Sequence, residues 1–128
     1  MSARYLNVDC ILRSEENLAE LKKYLEKDVF FLWDEFDGNS SHIGFETNLV
    51  DTKDPEQDIL EFLKIFDAAP HSVQKLITEC NERVFDIGFE SGFSGDPINT
   101  GISSSTVQRM AKLGFSIGIR IYPVPDEQ

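Results

Sequence analysis

The chain has 128 residues, of which 23 are acidic and 12 are basic, so its formal net charge is -11 at pH 7. Such an acidic chain repels phosphate backbones, which argues against nucleic acid and anionic membranes as partners. It favours a basic protein partner, because opposite charges steer two proteins toward each other. The length is typical of one domain, so we expect a single core over residues 1–128, filled by the rings of ten Phe residues and Trp33.

The N-terminal stretch MSARYLNVDC has no long apolar region, and no segment approaches the roughly 18 apolar residues that span a bilayer. We therefore expect a cytoplasmic protein.

Cys10 and Cys80 stand among apolar residues, and neither belongs to a CxxC pair or has a histidine at metal-ligand spacing. Two reduced core cysteines are expected, and a disulfide between them is the alternative.

The first half of the chain predicts a strand, a helix and a hairpin. Residues 4–12 alternate between apolar and polar side chains, as in a strand, and Ser14 is then expected to cap a helix that runs to about Lys27. VFFLWDEF at 29–36 is apolar on both sides for most of its length, which is typical of a central strand that is covered on both faces at one end. Alternation resumes in SHIGFETNLV at 41–50, so we expect a hairpin between these two strands.

The second half begins with a clear helix-start signal, in which Asp54 is the cap and Pro55 takes the first helical position. The helix that starts there has an apolar stripe and is expected to end before Pro70. A further helix is predicted at roughly 71–80. RVFDIGFE at 83–90 is another alternating strand.

A polar loop at 91–101 leads to the last elements. Serines at 103–105 offer caps for a short helix, which Gly114 is expected to close. FSIGIRIY at 115–122 alternates cleanly and predicts the last strand, with PVPDEQ at 123–128 as a tail. Four of its side chains are predicted to face the core: Phe115, Ile117, Ile119 and Ile121.

The predicted order of elements is βαββααβαβ. Amphipathic helices and one-sided strands together indicate an α+β fold, which we expect to be a two-layer sandwich. Its five-stranded, mostly antiparallel mixed sheet would carry the helices on one face and leave the other face partly exposed to water.

An Ile-Gly motif recurs in three strands, as IGFET at 43–47, IGFES at 87–91 and IGI at 117–119. Because side chains alternate along a strand, Gly44, Gly88 and Gly118 are expected on the face without helices. One interpretation is a flat contact surface with acidic flanks. The other is structural, in which each glycine permits a bulge or lies beneath a neighbouring side chain such as Tyr122.

Other candidate chemistry is sparse. The loop SGFSGDPINTGISSST at 91–106 has a helix start after it but contains no lysine, and neither the GxxxxGK[ST] nor the GxGxxG spacing is present. His42 is expected near the carboxylates of Glu46, Asp86 and Glu90, yet no spacing demands a metal or acid/base site. We therefore predict no enzyme activity, no metal and no cofactor.

The C-terminal stretch ISSSTVQRMAKLGFSIGIRIYP resembles the ending of a family of small bacterial domains of unknown function. A serine-capped helix, an Ala-x-Leu-Gly turn and a strand that ends in Tyr, all within residues 102–123, carry this resemblance. The matching residues are Ser103, Ala111, Leu113, Gly114, Ile117, Ile119, Ile121 and Tyr122, with Trp33 similar to a single early tryptophan. In size, acidity and class the protein also resembles bacterial immunity proteins, which neutralise a toxin by binding it.

Charge and the missing catalytic motifs together favour a non-enzymatic, protein-binding function, with an immunity or antitoxin-like protein that covers a basic toxin domain as the leading prediction. The predicted partner contacts are Glu46, Asp86 and Glu90, with His42 and Asp34 nearby. The alternative is a small regulatory or ligand-binding module that uses the loop at 91–102. Exposed strand edges also permit a homodimer.

Overall fold

The computed structural model describes residues 2–93 and 95–124. Within these ranges the elements follow the predicted order. The strands are β1 (Arg4–Ser14), β2 (Val29–Phe36), β3 (Ser41–Thr47), β4 (Glu82–Glu90) and β5 (Ser116–Tyr122). The helices are α1 (Ala19–Leu25), α2 (Pro55–Asp67), α3 (His71–Thr78) and α4 (Ser104–Lys112).

The five strands form one mixed sheet in the order β2-β3-β1-β4-β5. Strand β1 is central and pairs antiparallel with both β3 and β4, and the predicted hairpin of β2 with β3 is also present. Strand β5 runs parallel to β4, so the chain must cross over between them, and α4 lies in this connection. The predicted α+β fold with a mostly antiparallel mixed sheet is confirmed.

The helices cover one face of the sheet, and the core lies between the two layers. Rings from both layers meet there, since Phe62 of α2 packs against Phe45 of β3 and Phe85 of β4. The largest fully buried side chains are Phe45, Phe62, Phe66, Phe85, Leu12, Leu18, Leu21, Leu25, Ile43, Ile59, Leu63 and Ile77. The opposite side of the sheet, called the open face below, carries alternate residues of each strand, among them Asn7, Asp9, His42, Gly44, Glu46, Asp86, Gly88, Glu90, Gly118 and Arg120.

Two helix starts and one helix end are as predicted. Asp54 Oδ1 accepts a hydrogen bond of 3.0 Å from the Gln57 N–H, with Pro55 at the first position of α2. Ser103 Oγ accepts a hydrogen bond from the Thr106 N–H at the start of α4. Gly114 follows α4 with φ of +78°, a left-handed conformation that favours glycine at a helix end.

The predicted start of the first helix at Ser14 is wrong. Ser14 is the last residue of β1, is completely buried and pairs with Ser41. Its Oγ accepts a hydrogen bond of 3.0 Å from the Glu16 N–H, which turns the chain toward the helix. Helix α1 begins at Ala19, whose N–H donates to Asn17 Oδ1 over 2.8 Å. The strand is longer than expected because pairing on both sides holds it extended.

The prediction that VFFLWDEF is a central strand is also wrong, because β2 lies at one edge of the sheet. An irregular register between Phe31 and Trp33 lets apolar side chains point to both faces. Phe31 packs edge-on against Phe45 in the core, and Trp33 lies on the open face over Gly44. The two-sided apolar pattern therefore reflects a β-bulge at an edge rather than a buried centre.

Strand β5 lies at the other edge, and the expected burial of its isoleucines is wrong. Phe115 is buried and stacks on Phe85 with a distance of 4.2 Å between ring centroids. Ile117, Ile119 and Ile121 lie on the side of the sheet that faces the helices, but they are 45%, 66% and 65% exposed. The periodicity predicted the correct side, whereas the helical layer does not extend over this edge.

Cys10 and Cys80 are both free and buried, which confirms two core cysteines without a disulfide. Burial raises the pKa of the Cys10 thiol, and it raises the pKa of the Cys80 thiol to about 11.

In the part of the chain that the structure describes, no helix is both long enough and apolar enough to cross a membrane. Ser94 of the predicted polar loop and residues 125–128 of the predicted tail lie outside the described residues.

Candidate protein-binding face

Three carboxylates form a row across the middle of the open face. Asp9 of β1 lies directly opposite Asp86 of β4 in the antiparallel register. On the other side of β1, Cys10 pairs antiparallel with Phe45 of β3. The residue after Phe45, Glu46, therefore lies beside the residue before Cys10, Asp9. Glu46, Asp9 and Asp86 thus occupy neighbouring positions on three adjacent strands, and we call them the carboxylate row.

Asn7 and Arg120 hold the two ends of the carboxylate row. Asn7 Nδ2 donates to Asp9 Oδ1 over 3.1 Å and to Glu46 Oε2 over 3.4 Å. Arg120 of β5 places its guanidinium 3.2 Å from Asp86, whose side chain is 12% exposed whereas that of Arg120 is 57% exposed. The amide and the guanidinium fix the directions of the carboxylates, and all three acidic residues are partly exposed to solvent.

The carboxylate row is electrostatically unfavourable at neutral pH. Partial burial raises the pKa of Asp9 to about 6, and repulsion from Glu46 and Asp86 adds to the rise, whereas the charge of Arg120 opposes it. Three acidic groups and one nearby guanidinium leave a net negative charge at this position. A second cation that approaches from solvent would therefore stabilise the ionised form of Asp9.

The three glycines of the repeated motif do lie on the open face, but they are not a bare surface. The Trp33 indole covers Gly44, and a Cβ atom at residue 44 would overlap the ring. At Gly88 an added Cβ would lie 2.7 Å from Asn7 Oδ1 and 3.7 Å from the Tyr122 ring. At Gly118 it would lie 3.2 Å from Asp86 Oδ1. The structural interpretation is the better one, because each glycine makes room for a neighbouring side chain.

This use of glycine also shapes the carboxylate row. Asn7 places its Oδ1 against Gly88 while its Nδ2 donates to Asp9 and Glu46, and Asp86 leans over Gly118 beside Arg120. Side chains at these two glycine positions would push Asn7 and Asp86 out of place. The motif therefore contributes to the site indirectly, through the orientation of polar groups rather than through backbone contact with a partner.

His42 and Trp33 form a separate aromatic group toward the β2 edge of the open face. Their rings meet edge to face with centroids 5.6 Å apart, and His42 Nδ1 lies 4.0 Å from Glu35 Oε2. Trp33 Nε1 is buried and has no hydrogen-bond partner among the described residues. The indole N–H of Trp33 is thus unsatisfied among these residues while its ring covers Gly44. His42 lies apart from the carboxylate row.

The predicted contact residues are only partly brought together. Glu46 and Asp86 share the carboxylate row, whereas Glu90 lies near the end of β4 and forms a 3.0 Å ion pair with Arg4. The expectation that Asp34 lies near them is wrong. Asp34 is opposite the buried Ile43, on the helix-covered side, and binds Lys22 of α1 at 3.1 Å. The bulge in β2 reverses the side to which this part of the strand points.

Sequence reasoning missed Asp9 as a member of the site. The alternation in the first strand already placed it outward together with Asn7. Asp9 lies between Glu46 and Asp86 only because β1 lies between β3 and β4, and this order of the strands could not be read from the sequence.

A second carboxylate, Asp58, is buried between α2 and the sheet. Its oxygens accept hydrogen bonds from Thr47 Oγ1 over 2.9 Å, from Thr52 Oγ1 over 2.8 Å and from the Tyr5 hydroxyl. Burial and the neighbouring Asp58 raise the pKa of Tyr5, so its hydroxyl stays protonated and available as a donor. The arrangement fastens α2 to β1 and β3, and its polar groups are satisfied within the chain.

Among the residues described, no cluster of three or more His, Cys, Asp or Glu side chains has an arrangement that could hold a metal ion.

The loop at 91–102, which the alternative prediction used, exposes Phe93 and Ile98. At its end the Ser103 N–H donates a hydrogen bond to Glu56, and this bond lowers the pKa of the Glu56 carboxyl. The loop is thus tied to the start of α2, and its use as a ligand site stays a prediction.

Comparison with known proteins finds no matching family model, no similar curated protein and no similar solved structure. The resemblance of the C-terminal stretch to small bacterial domains therefore stays a prediction.

Proposed function

We propose that the protein binds a basic protein partner, whose Lys or Arg side chains it receives on the carboxylate row. The observation that carries this proposal is the position of Glu46, Asp9 and Asp86 on three adjacent strands, where burial, and after it repulsion from the other two carboxylates, raises the pKa of Asp9 to about 6. Repelling carboxylates that are held in place by Asn7 and Arg120 form a fixed acceptor set for a cation.

A bound cation would relieve this repulsion. An ammonium or guanidinium group that contacts Asp9 favours its ionised form, so binding should release a proton at about pH 6 and strengthen as the pH rises through that value. The charge of -11 on the whole chain adds long-range attraction and raises the rate of encounter. Local geometry then sets where the partner docks, and the net charge sets how fast it arrives.

The class of partner that we propose is a basic toxin domain, which makes the chain an immunity or antitoxin-like protein. Two observations support this class. The protein is small and acidic, and its candidate site consists of ionic groups on the open face of the sheet. Inhibition of such a domain needs only that its basic active surface be covered.

The proposal can be tested with a short oligo-lysine peptide as the cationic probe, in titrations followed by isothermal calorimetry and by NMR chemical shifts. The test variant replaces Glu46→Gln and Asp86→Asn together. The matched control replaces Glu16→Gln and Glu26→Gln, two exposed acids outside the open face, so both variants have the same net charge.

The row variant should bind the peptide about tenfold more weakly, since two charged contacts are lost, whereas the control should retain most of its affinity. Shift changes should centre on Asp9 and its neighbours. Equal weakening in both variants would mean that only the net charge attracts cations, and the carboxylate row would then have no special part in binding.

A further inference from the structure

Strand β5 presents a free edge, which borders the carboxylate row at Asp86. Tyr122 O accepts a 3.0 Å hydrogen bond from the Ser91 N–H, so the backbone of Tyr122 points toward β4. Backbone direction alternates along a strand, and the N–H and C=O groups of Ile117, Ile119 and Ile121 therefore point away from the sheet. In the described ranges no other strand pairs with them.

The same three residues expose their side chains. Ile119 and Ile121 are about two-thirds exposed, and Ile117 is nearly half exposed. An edge that offers both unpaired backbone groups and a row of exposed isoleucines is a template for another strand. Strand β5 has no bulge and one charged residue, Arg120, so it lacks the usual features that prevent such pairing.

We propose that β5 pairs with β5 of a second copy of this chain, antiparallel across a two-fold axis at Ile119. Ile119 then lies opposite Ile119 of the second copy, and Ile117 lies opposite Ile121 of the second copy. Each of these pairs exchanges both of its backbone hydrogen bonds, since these are the residues whose polar groups point outward. Two five-stranded sheets would join into one continuous sheet.

The side chains of β5 fit this register on both faces. On the helix side every contact is Ile against Ile, and such β-branched pairs stabilise a sheet. On the open face small residues meet large ones, because Gly118 lies opposite Arg120 and Ser116 lies opposite Tyr122. No like charges stand directly opposite each other.

Charge complementarity supports a second copy as the occupant. In this register Arg120 of the second copy lies beside Gly118, and Gly118 borders Asp86, whose Oδ1 stands 3.2 Å from the position of an added Cβ. The missing side chain at residue 118 leaves a path for the guanidinium to reach Asp86 across one strand. An unrelated strand would not in general place arginine opposite this glycine.

The other edge of the sheet does not offer the same pairing. Strand β2 has a bulge near Trp33 and two acidic residues, Asp34 and Glu35, toward its end. A bulge disrupts the row of backbone groups, and acidic residues repel the same segment of another copy. The expected assembly is therefore a closed dimer through β5 rather than a chain of copies.

Sedimentation velocity of the native chain tests the proposal. The native protein should sediment with twice the mass of one chain. Association should strengthen with added salt, because screening reduces repulsion between two chains of charge -11. Partner binding through the carboxylate row should instead weaken with salt, so the two proposals can fail separately.

Ile119→Lys should give a monomer, since the two-fold axis brings the new charges together. Phe36→Lys is the matched control at the exposed end of β2 and should stay dimeric, with circular dichroism showing that both variants are folded. A native chain that is monomeric at the highest soluble concentration, or a control that dissociates to the same extent, would overturn the proposal.

Single cysteines report the register. Ile119→Cys should form a covalent dimer under mild oxidation, because Cα atoms of such a pair are about 5.5 Å apart, within disulfide range. Ile117→Cys should not, since its two copies would be about 13 Å apart along the strands. The native Cys10 and Cys80 are buried and do not compete. Equal cross-linking at both positions would contradict the axis at Ile119.

Discussion

The indole of Trp33 lies flat over Gly44, and a side chain at residue 44 would occupy the space of the ring. This contact joins β2 to β3 on the open face at the point where β2 bulges. It explains why the first Ile-Gly motif contains glycine although glycine weakens a strand. The aromatic cover compensates for the missing side chain.

Gly44→Ala should therefore destabilise the protein even though alanine favours strand structure more than glycine does. The added methyl group must displace the indole, and overpacking of this kind typically lowers the free energy of unfolding by about 1–3 kcal/mol. Urea unfolding followed by circular dichroism measures the change. Tryptophan fluorescence reports it directly, because Trp33 is the only tryptophan and should become more exposed to water.

Gly118→Ala is the matched control for this substitution. Its new methyl group would meet the Asp86 carboxylate at 3.2 Å, a much looser contact than the one with the Trp33 ring at residue 44, and a small shift of the carboxylate would relieve it. The stability of this variant should change by less than about 1 kcal/mol, and its fluorescence should not change. Equal losses in the two variants would mean that strand glycines matter here for backbone reasons and that the Trp33 contact is incidental.

Local signals in the sequence predicted most of the fold correctly. Asp54 and Pro55 marked the start of α2, Gly114 marked the end of α4, and the order of elements was right. These features depend on residues that are close in sequence, such as a cap and the N–H three positions later. Hydrophobic periodicity also predicted the correct side for the β5 isoleucines.

The failures concern relations between distant residues. Ile119 is exposed because β5 lies at an edge, and Asp34 points to the helices because β2 contains a bulge. Asp9 joins Glu46 and Asp86 because β1 is central. None of these facts is encoded in a short stretch, since strand order depends on how the whole core packs. The candidate site was therefore predicted in part, with its two outer members identified and its central member missed.

Asp9→Asn should stabilise the protein at neutral and alkaline pH. The folded-state pKa of Asp9 is raised to about 6 from 3.8, so the ionised form is less favourable in the folded than in the unfolded chain. Above about pH 6 the carboxylate is charged in both states and the folded state bears this penalty, which the amide removes. We expect a gain of about 1 kcal/mol, less than the full shift implies, because solvent screens a half-buried group.

The sign of this effect can be checked by its pH dependence. As the pH falls from about 6 toward 4, native Asp9 takes up a proton before the unfolded chain does, and the wild type recovers the stability that Asp9→Asn already has. The difference between the two proteins should therefore shrink over this range. Glu26→Gln, at an exposed position, should show no such trend. A constant or growing difference would contradict the raised pKa of Asp9.

Asp58→Ala should be among the most damaging single substitutions in the chain. It removes the acceptor of three hydroxyl groups, those of Tyr5, Thr47 and Thr52, and leaves them without their partner between α2 and the sheet. Donors left unsatisfied in a buried place cost about 1–3 kcal/mol each, so we expect a loss of about 3 kcal/mol or more in urea unfolding.

Asp67→Ala on the same helix is the control. Asp67 binds Arg109 at 2.7 Å, but both side chains are exposed, and such surface pairs contribute only about 0–1 kcal/mol. Similar losses in the two variants would show that the hydroxyl groups find other partners and that Asp58 does not fasten α2 to the sheet.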